Sequence, residues 1–135
     1  MQLTETRKII THRAVMAMLD AGIAKAEEMG QPQCIVIVDA SGEVLGEIRM
    51  TGAKFLSRKS ALAKALTAAS TGAASNAVPE GVRSAIGAAT GGLVTGLPGG
   101  LPIILDGKAA GGVGVGSGTG EQDIAVAEAM LAVLV

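Results

Sequence analysis

Apolar residues recur at the spacing of an α-helix in the N-terminal part of the chain. This pattern predicts one long helix over residues 4–29, ended by Gly30 and Pro32. The predicted inner face comprises Val15, Met18, Leu19, Gly22, Ile23, Ala26 and Met29.

The pattern then changes to that of β-strands. Residues 34–38 form a continuous apolar run rich in β-branched side chains, which is typical of a buried strand. Residues 39–42 carry turn-forming side chains, and residues 44–50 alternate between apolar and polar positions apart from Leu45. These segments predict an antiparallel hairpin whose second strand is half exposed.

A second helix is predicted over residues 55–74. It is rich in alanine, so it can approach the sheet or a neighbouring subunit closely. The pattern weakens over residues 75–100, where Pro79 can start a short helix and glycine pairs mark turns.

The C-terminal part of the chain predicts a second hairpin and a final helix. Residues 101–105 and 109–115 are the two strands, joined by an Asp106-Gly107 turn. Thr119 and Gln122 fit a capping box at the start of the last helix.

The order of these elements indicates the fold class. Hairpins separated by helices predict an α/β (α+β) fold in which an antiparallel β-sheet is covered by α-helices, rather than a doubly wound parallel sheet. No linker or internal repeat divides the sequence, so we expect a single domain over residues 1–135.

The composition favours self-association. Hydrophobic residues make up 49% of the chain and charged residues only 17%, which leaves much apolar surface for a small monomer to hide. The net charge is −1 and Phe55 is the single aromatic residue, so nucleic acid and membrane partners are not expected. Cys34 is alone and the N-terminus has no apolar signal segment, so we expect a cytoplasmic protein.

A set of short segments spans nearly the whole chain in an order that resembles the GlcG/HbpS-like family, whose domain also occurs at the C-terminus of PduO-type proteins. No single segment is specific to this family, but the order and spacing of the segments are. The segments are Leu3-Thr4, residues 37–42 (IVDASG), 49–53 (RMTGA), 64–69 (KALTAA), 99–103 (GGLPI), and 112–118 (GVGVGSG) running into 121–123 (EQD).

The resemblance implies a profilin-like sheet with helices on its faces, assembled into dimers and often octamers. Family members include haem-binding and haem-degrading proteins, a corrinoid-associated domain and proteins of glycolate operons. The resemblance therefore predicts the fold of this chain more directly than its function. The function implied is a homo-oligomer that binds a cofactor or small anion, with haem at a subunit interface as the specific expectation.

His12 is the only histidine, which excludes a multi-histidine metal site. As a neutral imidazole it can ligate haem iron from one subunit of an oligomer. The alternative is a histidine on a helix face with an ordinary hydrogen bond, because a lone histidine carries no spacing information.

A basic stretch lies between Ile48 and Pro79, where no acidic residue occurs. Arg58 and Lys59 lie near a predicted helix N-terminus, which favours anions such as a carboxylate, a phosphate or a haem propionate. A solvated helix face explains the same charges equally well. The candidate binding residues of this stretch are Arg49, Lys54, Arg58 and Lys59.

The glycine-rich segment 112–120 matches neither G-x-G-x-x-G nor a Gly-Lys-Ser/Thr phosphate loop. With Ser117 and Thr119 it can hold a small anion, or its glycines can allow close approach to another backbone, as a tight subunit contact needs. Asp39, Glu121 and Asp123 are candidate acid–base groups, although no pattern shows that they converge.

Three functions therefore follow from the sequence. The first is a ligand-binding homo-oligomer that holds haem or a similar anionic cofactor. The second is a small catabolic-pathway enzyme or accessory subunit acting on a compact organic acid. The third is a structural or assembly protein, which would account for the abundance of glycine and alanine without any ligand.

Overall fold

The computed structural model describes residues 1–135, and its elements follow the predicted order. Two short 3-10 turns, Ser75–Ala77 and Glu80–Val82, connect the second and third helices. None of the helices combines the length and apolar character needed to span a membrane. The elements are α1 (His12–Glu28), β1 (Cys34–Asp39), β2 (Val44–Arg49), α2 (Ser57–Thr71), α3 (Arg83–Ala89), β3 (Gly100–Leu105), β4 (Lys108–Gly116) and α4 (Gly120–Ala132).

The four strands form one sheet in the order β2-β1-β4-β3, and every neighbouring pair is antiparallel. Ile35 and Ile37 of β1 pack with Val113 and Val115 of β4 against α1 and α4. The alternate side chains of β1 pack against α2 on the other face, because successive residues of a strand point to opposite sides. The predicted antiparallel sheet covered by helices is confirmed.

Glycines of β4 set the distance between the sheet and α2. A Cβ atom added at Gly114 would lie 2.6 Å from the backbone N of Ala65, and one added at Gly112 would lie 2.9 Å from the backbone N of Ala69. The close backbone approach expected of this segment is made to α2 of the same chain.

The prediction of a helix over residues 4–29 is wrong at its N-terminal end, because α1 begins only at His12. Thr11 caps the helix by accepting a hydrogen bond from the backbone N–H of Ala14 at 3.3 Å. The residues before it are tied to the β3–β4 hairpin instead, through a Glu5–Lys108 ion pair at 3.0 Å and a Lys8–Asp106 ion pair at 3.3 Å.

Strand β2 forms one edge of the sheet and is more exposed than predicted. Val44 and Leu45 are each 42% exposed, and Ile48 is 39% exposed. The alternation of apolar and polar residues predicted burial of one face. In the single chain that face is only partly covered by α1, where Gly46 lies against Val15 and Leu19.

Candidate functional site

A polar cleft lies between the first turns of α2 and α4, and we call it the α2–α4 cleft. Its volume is about 260 Å³, and only one of its ten lining residues is hydrophobic. The lining residues are Lys54, Ser57, Ser60, Lys64, Leu97, Pro98, Ser117, Gly118, Gly120 and Asp123.

The loop after β4 is held in place from two sides. Ser117 has a positive φ of 97°, and its hydroxyl accepts a hydrogen bond from the backbone N–H of Lys54 at 3.0 Å. The amide of Gln31 donates to the carbonyl oxygen of Ser117 at 3.1 Å. The loop is thus fixed between the C-terminal end of α1 and the segment that leads into α2.

Thr119 and Gln122 form the predicted capping box at the start of α4. The Thr119 hydroxyl accepts from the N–H of Gln122 at 3.2 Å, and the Gln122 side chain accepts from the N–H of Thr119 at 2.9 Å. Thr119 therefore acts on the helix terminus beside the cleft, whereas Gly120 lines the cleft itself.

A buried ion pair closes the inner end of the cleft. The ammonium Nζ of Lys64 lies 2.9 Å from Oδ2 of Asp123, and the two side chains are 6% and 4% exposed. Lys64 also donates to the carbonyl oxygen of Val115 at 2.7 Å, and Oδ1 of Asp123 accepts from the N–H of Gly118 at 3.0 Å. This network joins α2, β4 and α4 at one point.

Lys64 was not among the predicted site residues, although a signal for it exists in the sequence. It lies one helical turn from Ala61 and Ala68, both buried on the sheet-facing side of α2. A lysine on the buried face of a helix needs a charged partner. Asp123, an acid–base candidate on sequence grounds, is that partner.

Gln33 is a second buried polar residue that sequence reasoning missed. Its side-chain oxygen and nitrogen are buried without a hydrogen-bond partner, which is uncommon in protein interiors. A Cβ atom at position 118 would lie 2.6 Å from Nε2 of Gln33. Glycine at position 118 thus allows the loop to pass close over this amide.

The basic residues predicted to bind an anion do not all meet. Lys54 lines the α2–α4 cleft, but Arg58 forms an ion pair with Glu47 at 2.7 Å. The Glu47 carboxylate, through this hydrogen bond and its charge, raises the pKa of Arg58. Lys59 is exposed, and Arg49 lines a different cleft, between α1 and the end of β2.

His12 lies far from the α2–α4 cleft within one chain. It is the first residue of α1, whose 17 residues extend over about 25 Å, whereas the cleft lies near the other end of this helix. His12 is exposed, and Met16, one turn further on, is 60% exposed.

The three carboxylates proposed for acid–base catalysis, those of Asp39, Glu121 and Asp123, do not form one cluster. Asp39 accepts hydrogen bonds from the N–H groups of Ser41 and Glu43, at 2.8 and 3.0 Å, and so holds the turn between β1 and β2. Glu121 is exposed and does not line the cleft. No group of three or more His, Cys, Asp or Glu side chains is placed to hold a metal ion.

Cys34 lies at the start of β1 and is fully buried. Its thiol is 3.5 Å from the carbonyl oxygen of Lys54, and burial raises its pKa. These observations indicate that Cys34 is a small apolar core residue rather than a nucleophile.

Comparison with known proteins defines the class. Residues 10–132 match the family model described as "Haem degrading protein HbpS-like", and the fold matches solved structures over almost its full length. The chain belongs to the HbpS-like family, in agreement with the resemblance seen in its sequence. A search of curated proteins finds no match.

Three solved structures illustrate the relationship. Protein ORFY of Klebsiella pneumoniae is 28% identical with a TM-score of 0.93, over 98% of this chain and 95% of the other. A PduOC–haem complex is 26% identical with a TM-score of 0.87, over 93% and 95%. A double mutant of HbpS from Streptomyces reticuli is 28% identical with a TM-score of 0.87, over 98% and 91%.

Proposed function

We propose that this protein is a homo-oligomer that binds haem at a subunit interface, with His12 as a ligand that would hold the iron. Membership of the HbpS-like family supports a haem-related function, as does the likeness to a PduOC–haem complex. The observation in this chain that carries the proposal is the exposed imidazole of His12 on a surface that also exposes Met16.

The residues around His12 fit one side of a haem site. A histidine that holds haem iron would need one accessible imidazole nitrogen, and the macrocycle would need apolar walls. His12 supplies the nitrogen and Met16 a flexible apolar side chain on the same helix face. Haem bound there would supply a redox-active iron. His12 is exposed in the single chain, so a second copy would supply the opposite wall of the site.

Self-association is supported by the apolar residues that the single chain leaves exposed. Edge strand β2 exposes Val44, Leu45 and Ile48, and an uncovered edge offers backbone groups for pairing. Phe55 and Leu56, just before α2, are 68% and 63% exposed. Contact between copies would remove these side chains from water, which stabilises an oligomer.

Replacing His12 by alanine is expected to weaken hemin binding at least about tenfold and to shift or abolish the Soret band, because the iron loses its protein ligand. Hemin titration followed by absorbance measures both. The adjacent exposed residue gives the control, Arg13→Ala, which keeps the imidazole. Equal affinity and an unchanged spectrum in the His12→Ala variant would remove His12 from the proposed site.

A further inference from the structure

We propose that the α2–α4 cleft is a binding site for a compact monocarboxylate. The proposal does not depend on haem binding, since His12 lies near the opposite end of α1. Only one of the ten lining residues is hydrophobic, which suits a small polar ligand better than a macrocycle.

A spare donor on Lys64 is the first observation that indicates a ligand. An ammonium group has three N–H donors, and the chain supplies two acceptors, the Val115 carbonyl oxygen at 2.7 Å and Oδ2 of Asp123 at 2.9 Å. The side chain is only 6% exposed, yet Lys64 lines the cleft. The third donor of this buried cation has no acceptor among the hydrogen bonds of the chain, and a molecule in the cleft would satisfy it.

The charge of the lining selects a monoanion. Lys54 and Lys64 contribute two positive charges and Asp123 one negative charge, which leaves a net charge of +1. Lys54 takes part in none of the ion pairs of the chain. One carboxylate balances this charge, whereas a second carboxylate would lie unpaired beside Asp123.

Hydroxyl and backbone donors line the same space. The Ser117 hydroxyl accepts a hydrogen bond from the Lys54 N–H, which leaves its own proton free to donate, and Ser57 also lines the cleft. The capping box satisfies the N–H groups of Thr119 and Gln122. The N–H of Gly120, the first residue of α4, has no acceptor within the helix. These donors suit the two oxygens of a carboxylate.

The size of the cleft limits the ligand to a few heavy atoms. Its volume of about 260 Å³ is below the range of about 300–1,000 Å³ usual for drug-sized ligands. An acid of two to four carbons, with or without a hydroxyl group for the serines, is the class of ligand that fits the donors, the charge and the volume together.

Amide chemical-shift titrations of the full-length protein with acetate, lactate, succinate and inorganic phosphate test the proposal. Acetate and lactate are expected to cause saturable shifts at residues 54–60 and 117–121. Lys54→Met is expected to weaken binding about tenfold or more, because a charge-assisted contact is lost. The matched control is Lys8→Met, which removes the same charge near the β3–β4 turn and should leave the affinity unchanged.

Three results would overturn the proposal. The first is the absence of saturable shifts with both monocarboxylates. The second is an equal loss of binding in the Lys54→Met and Lys8→Met variants. The third is tighter binding of succinate or phosphate than of acetate and lactate, which contradicts the selection of a single negative charge.

Discussion

Replacing Lys64 by methionine is expected to lower the free energy of unfolding by about 3–5 kcal/mol, because it leaves the Asp123 carboxylate buried without its counter-charge. Asp123 is 4% exposed and would keep only the Gly118 N–H as a hydrogen-bond donor. A loss of this size is a large part of the about 5–15 kcal/mol that stabilises a typical domain. Urea denaturation measures it directly.

An exposed ion pair provides the control. Arg58→Met removes the pair with Glu47, whose two side chains are 60% and 35% exposed, so it should destabilise the protein far less than Lys64→Met does. Combining Lys64→Met with Asp123→Leu removes both buried charges and is expected to be more stable than Lys64→Met alone. Similar losses for Lys64→Met and Arg58→Met would show that the buried pair does not stabilise the fold as described.

Replacing Gly114 by alanine is expected to cost about 3 kcal/mol, the upper end of what an overpacked core usually loses. The added Cβ would overlap the carbonyl oxygen of Ala61 and lie 2.6 Å from the backbone N of Ala65. Both atoms belong to the backbone of α2, so no side-chain rotation relieves the contact. The helix has to move away from the sheet, which loosens the packing of its alanines against β1 and β4.

Gly81→Ala is the matched control, because a Cβ at Gly81 meets no atom within 4 Å. Alanine there also restricts the unfolded chain, so the variant should be as stable as the original protein or slightly more stable. Thermal or urea unfolding of the two variants makes the comparison. Equal stabilities would mean that α2 does not lie as close to β4 as the structure places it.

The sequence predicted the sheet well because its signals are local. The apolar run at residues 34–38 is enough to predict β1. The Asp106-Gly107 pair is enough to predict the turn between β3 and β4. The capping box at Thr119 likewise fixed the start of α4. The start of α1 was missed because helical spacing alone extends past Thr11, and the contacts of Glu5 and Lys8 that hold the preceding residues involve the distant β3–β4 hairpin.

The candidate site was predicted less completely because it depends on pairings distant in sequence. Lys64 and Asp123 are 59 positions apart, and Ser117 meets the backbone of Lys54 across 63 positions. Residue types alone suggested that Lys54, Ser117 and Asp123 could bind or react. Only the packing of α2 and α4 on the sheet shows that these three residues share a cleft and that Arg58 and His12 lie outside it.

Native mass spectrometry of the purified protein after incubation with hemin, with an absorbance spectrum of the same sample, tests the proposed binding of haem by a homo-oligomer. We expect an oligomer that carries the added mass of haem and a Soret band, both lost or strongly reduced in the His12→Ala variant. A protein that stays monomeric, or an oligomer that takes up no hemin and remains colourless, would overturn the proposal.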